Sequence, residues 1–255
     1  MRIKFLGTGA AEGIPAINCD CPHCRRAREE GGKLVRERSC ILFSLPGYEL
    51  LMDTPPGILD LLAKNEVTRI DGIFLTHEHF DHAGGLEEFL YWKKDVDLFT
   101  AKETYRALRK EEWGGKLSEI AFHILYRPGM IIRFDDFFIV PFLVLHGVPT
   151  YGLMLREGEK KIVCTSDSAL RFSNYARCLM AGADLLIVNT PYFINPPHEA
   201  HIGVPDAIKL KGGVGAKKLI LTHFNHYNKP HDELEEYVSQ FEGVEAAYDG
   251  MEVEV

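Results

Sequence analysis

Short apolar runs that stop at polar, ligand-capable residues recur along this chain. Ile73-Phe74-Leu75 stops at Thr76-His77, and Leu219-Ile220-Leu221 stops at Thr222-His223. The apolar run 137–145 stops at His146-Gly147, and 161–164 stops at Thr165-Ser166-Asp167. Runs of this length, bounded by turn residues, read as buried strands. Further strands are predicted at 2–6, 39–45, 48–52, 97–100, 120–126, 130–134, 151–156 and 183–188, with two short ones around a turn in 245–255. Helices are predicted at 25–30, 58–64, 87–92, 102–112, 174–181, 204–212 (ended by glycine) and 231–241. The echo between 73–77 and 219–223 predicts two similar halves packed sheet to sheet, with helices outside and ligands gathered at one edge. The class is α/β, or α+β in its segregated form.

The densest chemistry is Thr76-His77-Glu78-His79-Phe80-Asp81-His82, an H-x-H-x-D-H loop at the end of a predicted strand. His and Asp are nitrogen and oxygen ligands suited to zinc, manganese or iron. Four such residues are too many for one tetrahedral ion with an open position, so the loop predicts a site for two ions. The bland alternative is a polar, solvated loop. Asp167 has the placement of a carboxylate that bridges two ions, or else caps the helix beginning near Ser173. Asp53, also at a strand end, either hydrogen-bonds a ligand histidine or caps the helix at 58–64. His123 lies inside a strand pattern and reads as structural. The long loop 191–203 carries His198, Glu199 and His201, and loops of that length are often functional.

Cys19-Asp20-Cys21-Pro22-His23-Cys24 is a C-x-C-x-x-C cluster within the segment 18–40. Three thiolates so spaced can converge on one zinc, with a fourth ligand closing the tetrahedron. His23, Cys40 and a distant histidine are the candidates; three free thiols are the alternative. Three of the six cysteines lie in this one short cluster, which favours metal binding over disulfides in a cytosolic chain. The glycine-rich turn Gly7–Gly13 lacks the acidic partner of a dinucleotide fingerprint, and NAD binding is rejected. It reads as a close backbone approach to a ligand or another loop.

The chain has 255 residues and a net charge of −8, with a pI near 5.8. It is long enough for one large domain, and no composition break marks a linker. We expect a single domain over 1–255, with the cysteine segment as an insertion. The acidic balance argues against a long polyanionic substrate, so nucleic acid is not an expected partner. No apolar run approaches a membrane span, and the N-terminus enters a strand without a secretory apolar region. A cytoplasmic location is expected.

The set His77, His79, Asp81, His82, His146, Asp167 and His223 resembles the metallo-β-lactamase superfamily over nearly the whole chain. The resemblance implies a four-layer αββα sandwich. It implies one ion on His77, His79, His146 and Asp167, and a second on Asp81, His82, Asp167 and His223. The segment Thr8–Ala16 with the cysteine cluster, and the ending Asp249-Gly250-Met251-Glu252, look like the phosphoribosyl cyclic phosphate phosphodiesterases of the carbon–phosphorus lyase pathway. That likeness implies a structural zinc on Cys19, Cys21, Cys24 and His226. It also implies two catalytic divalent ions that activate water, a small phosphorylated substrate, and His201 as general acid. Asp81 and Asp53 would support catalysis, and homodimers are common among such proteins. The cysteine cluster is also similar to that of protein B of pyrroloquinoline quinone biosynthesis, which keeps a non-catalytic carrier role open. A nuclease similar to the tRNA 3′-processing enzymes is the other alternative, and thioester or lactam hydrolysis a third.

Overall fold

The computed structural model describes residues 1–91, 96–196 and 200–255. The first sheet contains β1 (Arg2–Gly7), β2 (Cys40–Leu45), β3 (Tyr48–Met52), β4 (Gly72–Phe74), β5 (Asp97–Ala101) and β6 (Phe122–Tyr126), side by side in that order. The second contains β7 (Ile132–Arg133), β8 (Phe137–Val144), β9 (Thr150–Glu157), β10 (Lys160–Cys164), β11 (Leu185–Asn189), β12 (Lys218–Thr222) and β13 (Val244–Ala246). The last strand, β14 (Glu252–Glu254), returns to pair with β1. β13 and β14 therefore belong to opposite sheets, and the predicted turn between them crosses the sandwich.

Each sheet is antiparallel on one side and parallel on the other, with β3 to β6 and β10 to β13 running parallel. The two halves share this plan, but the sequence echo does not mark equivalent strands: counted from the strand where antiparallel pairing gives way to parallel, β4 is the second of its half and β12 the third. Parallel strands are buried on both faces and read as unbroken apolar runs. Successive side chains then enter different cores. Phe74 of β4 packs between the sheets with Phe5, Phe43, Phe99, Leu153, Ile187 and Ile220. Its neighbour Ile73 faces the helix layer with Leu61, Leu62 and Leu98. On the far side, Leu219 and Leu221 meet Ala176, Ala207 and Leu234 of three helices. The result is the expected αββα sandwich.

Several boundaries differ from expectation, for local reasons. The helix foreseen at 25–30 spans Pro22–Glu30, because Pro22 suits the first turn and the Cys21 sulfur accepts from the Cys24 amide. The segment 87–92 is a 3₁₀ turn over Leu86–Tyr91; Trp92 lies outside the described residues. The helix at 102–112 ends at Leu108, since residues 109–112 are exposed charges with no apolar face to bury. The helix Val204–Val214 passes through Gly212 and ends at Gly215, whose φ of 66° closes it. The helix opening at His231 stops at Val238. No described helix is long and apolar enough to cross a membrane.

Candidate metal centre

The strands β4, β8, β10 and β12 deliver His77, His146, Asp167 and His223 from their C-terminal ends to one edge of the sandwich. The backbone there is unusual. Asp53 (φ 67°), Ser166 (φ 54°) and His223 (φ 61°) are all left-handed without being glycine. Such conformations cost energy and persist where surrounding contacts over-determine them.

Two clusters form. His79 Nδ1 lies 3.0 Å from His77 Nε2 and 3.4 Å from His146 Nε2. Nitrogens bound tetrahedrally to one zinc at ordinary bond lengths are about 3.3 Å apart. In the second cluster, Asp81 Oδ2 lies 3.4 Å from His82 Nε2 and 3.9 Å from His223 Nε2. One oxygen faces both groups: Asp167 Oδ2 is 3.3 Å from His223, 3.5 Å from His82 and 3.8 Å from His146. Its other oxygen accepts from Asn189 Nδ2, at the end of β11.

Hydrogen bonds on the far sides of the rings select the tautomers. His82 Nδ1 donates to Asp53 Oδ2 at 2.7 Å. His77 Nδ1 donates to Thr76 Oγ1, which donates in turn to Asp53 Oδ2, both at 2.9 Å. His146 Nδ1 donates to the Ala200 carbonyl. The nitrogens left facing the centre then carry lone pairs, and His82 Nε2 is buried with no hydrogen-bond partner. Converging lone pairs of this kind are repulsive unless a cation lies among them. The donor set fits two divalent ions, one beside His77, His79 and His146 and one beside Asp81, His82 and His223, with Asp167 between them.

Charge follows the same logic. Burial, with the neighbouring histidines, lowers the basicity of His77 and His79, and the neutral form is the one that binds metal. Burial also opposes a charged His82, but Asp81, Asp167 and Asp53 outweigh it and hold its pKa well above the usual value; these carboxylates favour positive charge at this spot, which a bound cation would supply in place of the proton. Burial would raise Asp167, yet His223 and His82 hold it well below the usual carboxylate range.

The two readings of Asp53 are now distinguished. Glu88, not Asp53, caps the helix Ile58–Lys64, accepting from the Gly57 and Leu59 amides. Asp53 instead holds His82 and the Thr76 amide, so it supports a candidate ligand and does not face the reacting region itself. Asp167 likewise caps nothing, since Ser173 caps the helix Asn174–Met180. We expect Asp53→Asn to weaken metal binding about 10- to 100-fold, the usual cost of losing a partner behind a ligand, measured by chelator competition. The asparagine tolerates the left-handed backbone, so an unchanged affinity would remove Asp53 from this role.

His201 reaches the centre from its loop. It groups with His146 and Asp167, and burial pushes its pKa down to about 4. His198 and Glu199 lie outside the described residues. His123, half-buried in β6, packs edge-on against Tyr105 and takes no part.

A separate group lies beside this edge. His226 Nδ1 is 3.1 Å from Cys19 Sγ, 3.3 Å from Cys24 Sγ and 4.0 Å from Cys21 Sγ. Sulfur and nitrogen on one tetrahedral zinc stand about 3.6 Å apart, so the group fits that ion. The other two candidates for the fourth position lie elsewhere. His23 Nδ1 donates to the His226 carbonyl, and the buried Cys40 thiol donates to the Asp53 carbonyl. Burial raises Cys24 to about 12, a cost that a bound cation would remove.

Asn189, Thr76 and Arg36 were not foreseen as supporting residues. Asn189 and Thr76 had one signal, a polar residue closing an apolar strand run. Arg36 had none.

A sequence profile of the β-lactamase superfamily domain matches residues 48–224. The chain is 26% identical over 268 aligned positions to a Porphyromonas gingivalis protein named octanoyltransferase. That alignment takes in 99% of this chain and 51% of the relative, so the chain spans about half its length. Among solved structures, a diphosphatase of the PhnP family superposes with a TM-score of 0.85 at 22% identity, covering 100% of this chain and 97% of the other. Zinc-bound PqqB from Methylobacterium extorquens superposes with a TM-score of 0.86 at 19% identity, covering 100% of both chains.

Proposed function

The chain belongs to the β-lactamase superfamily, and from that premise we propose that it is a metal-dependent phosphodiesterase acting on a small cyclic phosphodiester, with 5-phosphoribosyl 1,2-cyclic phosphate as the favoured substrate. The observation that carries the reading is the single Asp167 oxygen facing both ligand groups. Two divalent ions there, zinc, manganese or iron, would supply Lewis acidity and a nucleophilic water near neutral pH. Asp53 and Thr76 hold the ligand histidines in the required tautomers. His201 delivers a proton to the leaving ring oxygen as the P–O bond breaks, yielding a phosphate monoester. The anionic phosphoryl group favours the imidazolium form of His201, against the burial that disfavours it. The cysteine group with His226 would hold a structural zinc.

A second reading is hydrolysis of an octanoyl ester or thioester. It draws support from the octanoyltransferase relative, which aligns with 99% of this chain.

The test is steady-state hydrolysis by zinc- or manganese-loaded protein, with His146→Ala as control. The substrates are the cyclic sugar phosphate, 2′,3′-cyclic nucleotides, an unstructured RNA and an octanoyl thioester. We expect fast turnover of the cyclic sugar phosphate, lost in the variant. No turnover of any phosphodiester by fully metallated protein would overturn the proposal, and octanoate release would favour the second reading. Dominant RNA cleavage would point to a nuclease, and tight binding without turnover to a carrier.

A further inference from the structure

His223 and His226 sit on one short segment, three residues apart, yet belong to different metal groups. Phe224, between them, is fully enclosed. Its amide donates to the Thr8 carbonyl at 2.8 Å, and its carbonyl accepts from the Ala10 amide at 2.9 Å. Gly9 bridges Phe224 on one side and Arg38 on the other. A Cβ on Gly9 would stand 2.9 Å from the Glu37 carbonyl oxygen, and one on Gly7 2.0 Å from that of Arg38. The glycines of this turn therefore serve the close approach of three backbones.

Arg36 covers the assembly. It is 2% exposed, and its guanidinium lies 4.2 Å from the centre of the Phe224 ring. It donates to Thr8 Oγ1 at 2.6 Å and to the Ala247 carbonyl at 2.7 Å, and its other nitrogen lies 3.0 Å from His231 Nδ1. Thr8 Oγ1 passes the interaction on to Asp249 Oδ1 at 2.6 Å, and Asp249 Oδ2 accepts from the Glu37 amide. Beyond Phe224, Asn225 is tied to the Pro191 carbonyl and to Glu12. Asn228 is tied to the Thr190 carbonyl. Every contact in this set is 3.0 Å or shorter, and little slack remains between the two histidines.

We propose that the cysteine–His226 group is a positioning element for His223, so that its occupancy and that of the Asp81/His82/His223 site are coupled through the Phe224 segment, with Arg36 as the residue that locks it. Binding at Cys19, Cys21 and Cys24 fixes one end of the segment. The clamp on Phe224 passes that constraint to the left-handed His223. Losing the anchor lets His223 leave its ligand geometry, while His77, His79 and His146, on other loops, stay in place. The coupling is reciprocal by linkage. It rests on the two-ion reading of the centre but not on the identity of the substrate.

The test is zinc titration of the full chain in competition with a chromophoric chelator, comparing wild type, Cys19→Ser/Cys24→Ser and Arg36→Lys. Wild type should take up three ions. In both variants we expect one of the two His/Asp affinities, that of the Asp81/His82/His223 site, to fall about 10-fold or more, the scale of a lost partner behind a ligand. The other should change less than about twofold. By linkage, zinc at the Asp81/His82/His223 site should tighten the cysteine site by the same factor as zinc at the cysteine site tightens it, and His82→Ala should weaken the cysteine site. If the cysteine variant does not fold, Arg36→Lys carries the test, with its melting temperature separating general destabilisation from a site-selective loss. Unchanged His/Asp affinities in a folded variant, or equal loss at both, would overturn the coupling. Uptake of only two ions by wild type would defeat the two-ion reading and the coupling with it. The hydrolysis assay does not enter, so a wrong substrate leaves this result standing.

Discussion

Under the proposed function, Asp167→Asn is expected to lower turnover of the cyclic phosphodiester about 10³-fold and to reduce the His/Asp centre from the two proposed ions to at most one. The side chain keeps its size and can still meet Asn189, so the strand end stays formed. What disappears is the charge that sits within 3.8 Å of His82, His146 and His223. A metal pair supplies several kcal/mol of stabilisation to the developing phosphoryl charge, and each ~1.4 kcal/mol is worth a factor of ten in rate. The cysteine-bound zinc should remain, because such structural sites bind with roughly 10–16 kcal/mol. Elemental analysis and steady-state kinetics on the same preparation check both parts. Full activity with two ions retained would show that the shared carboxylate is dispensable.

His201→Ala is expected to act through the leaving group and not through the metals. General acid catalysis by a positioned histidine contributes about 10²- to 10⁴-fold. The variant should lose that factor on a substrate expelling an alkoxide. It should lose less than about tenfold on a p-nitrophenyl diester, whose leaving group needs no proton. Metal content should not change. His201 also groups with His146 and Asp167 as a potential ligand, and this is the measurement that separates the roles. Equal losses on both substrates, with an ion missing, would make His201 a ligand and not a proton donor.

Much of this centre was legible in the chain because its ligands close apolar strands. A buried parallel strand leaves a plain signature, an unbroken apolar run. The residue after it lies at the sandwich edge by geometry alone. His77, Asp167 and His223 follow such strands, and His146 closes an apolar strand of the antiparallel half, β8. The resemblance to a known family added what spacing could not, the partition of ligands and the pairing of the cysteines with His226. Residues alone left His23 and Cys40 open as alternatives. Excluding His23 needed a contact across 203 positions, its bond to the His226 carbonyl, and excluding Cys40 needed its bond to the Asp53 carbonyl on a neighbouring strand end.

The supporting residues were harder to see. Asp53 precedes the helix Ile58–Lys64 and reads as its cap from position alone; Glu88, which takes that place, is distant in sequence and arrives only through the packing of the 3₁₀ turn Leu86–Tyr91 against Gly57. Arg36 sits in a polar stretch with no periodic signal, and its burial depends on Thr8, Phe224 and Asp249 meeting from distant parts of the chain. Helix ends were misjudged where charge runs or a glycine pair gave a local cue that tertiary burial overrode. Val214 keeps the helix going past Gly212 and Gly213, because its side chain reaches the core beside Leu210.

The most direct test of the central claim is an anomalous-scattering crystal structure of the zinc-loaded protein. The account predicts two peaks about 3.5–4 Å apart, flanking the Asp167 Oδ2 atom, one beside His77, His79 and His146 and one beside Asp81, His82 and His223. A third peak should lie among Cys19, Cys21, Cys24 and His226. A single peak in the His/Asp cluster of fully loaded protein, or an Asp167 carboxylate turned away from both groups, would contradict it.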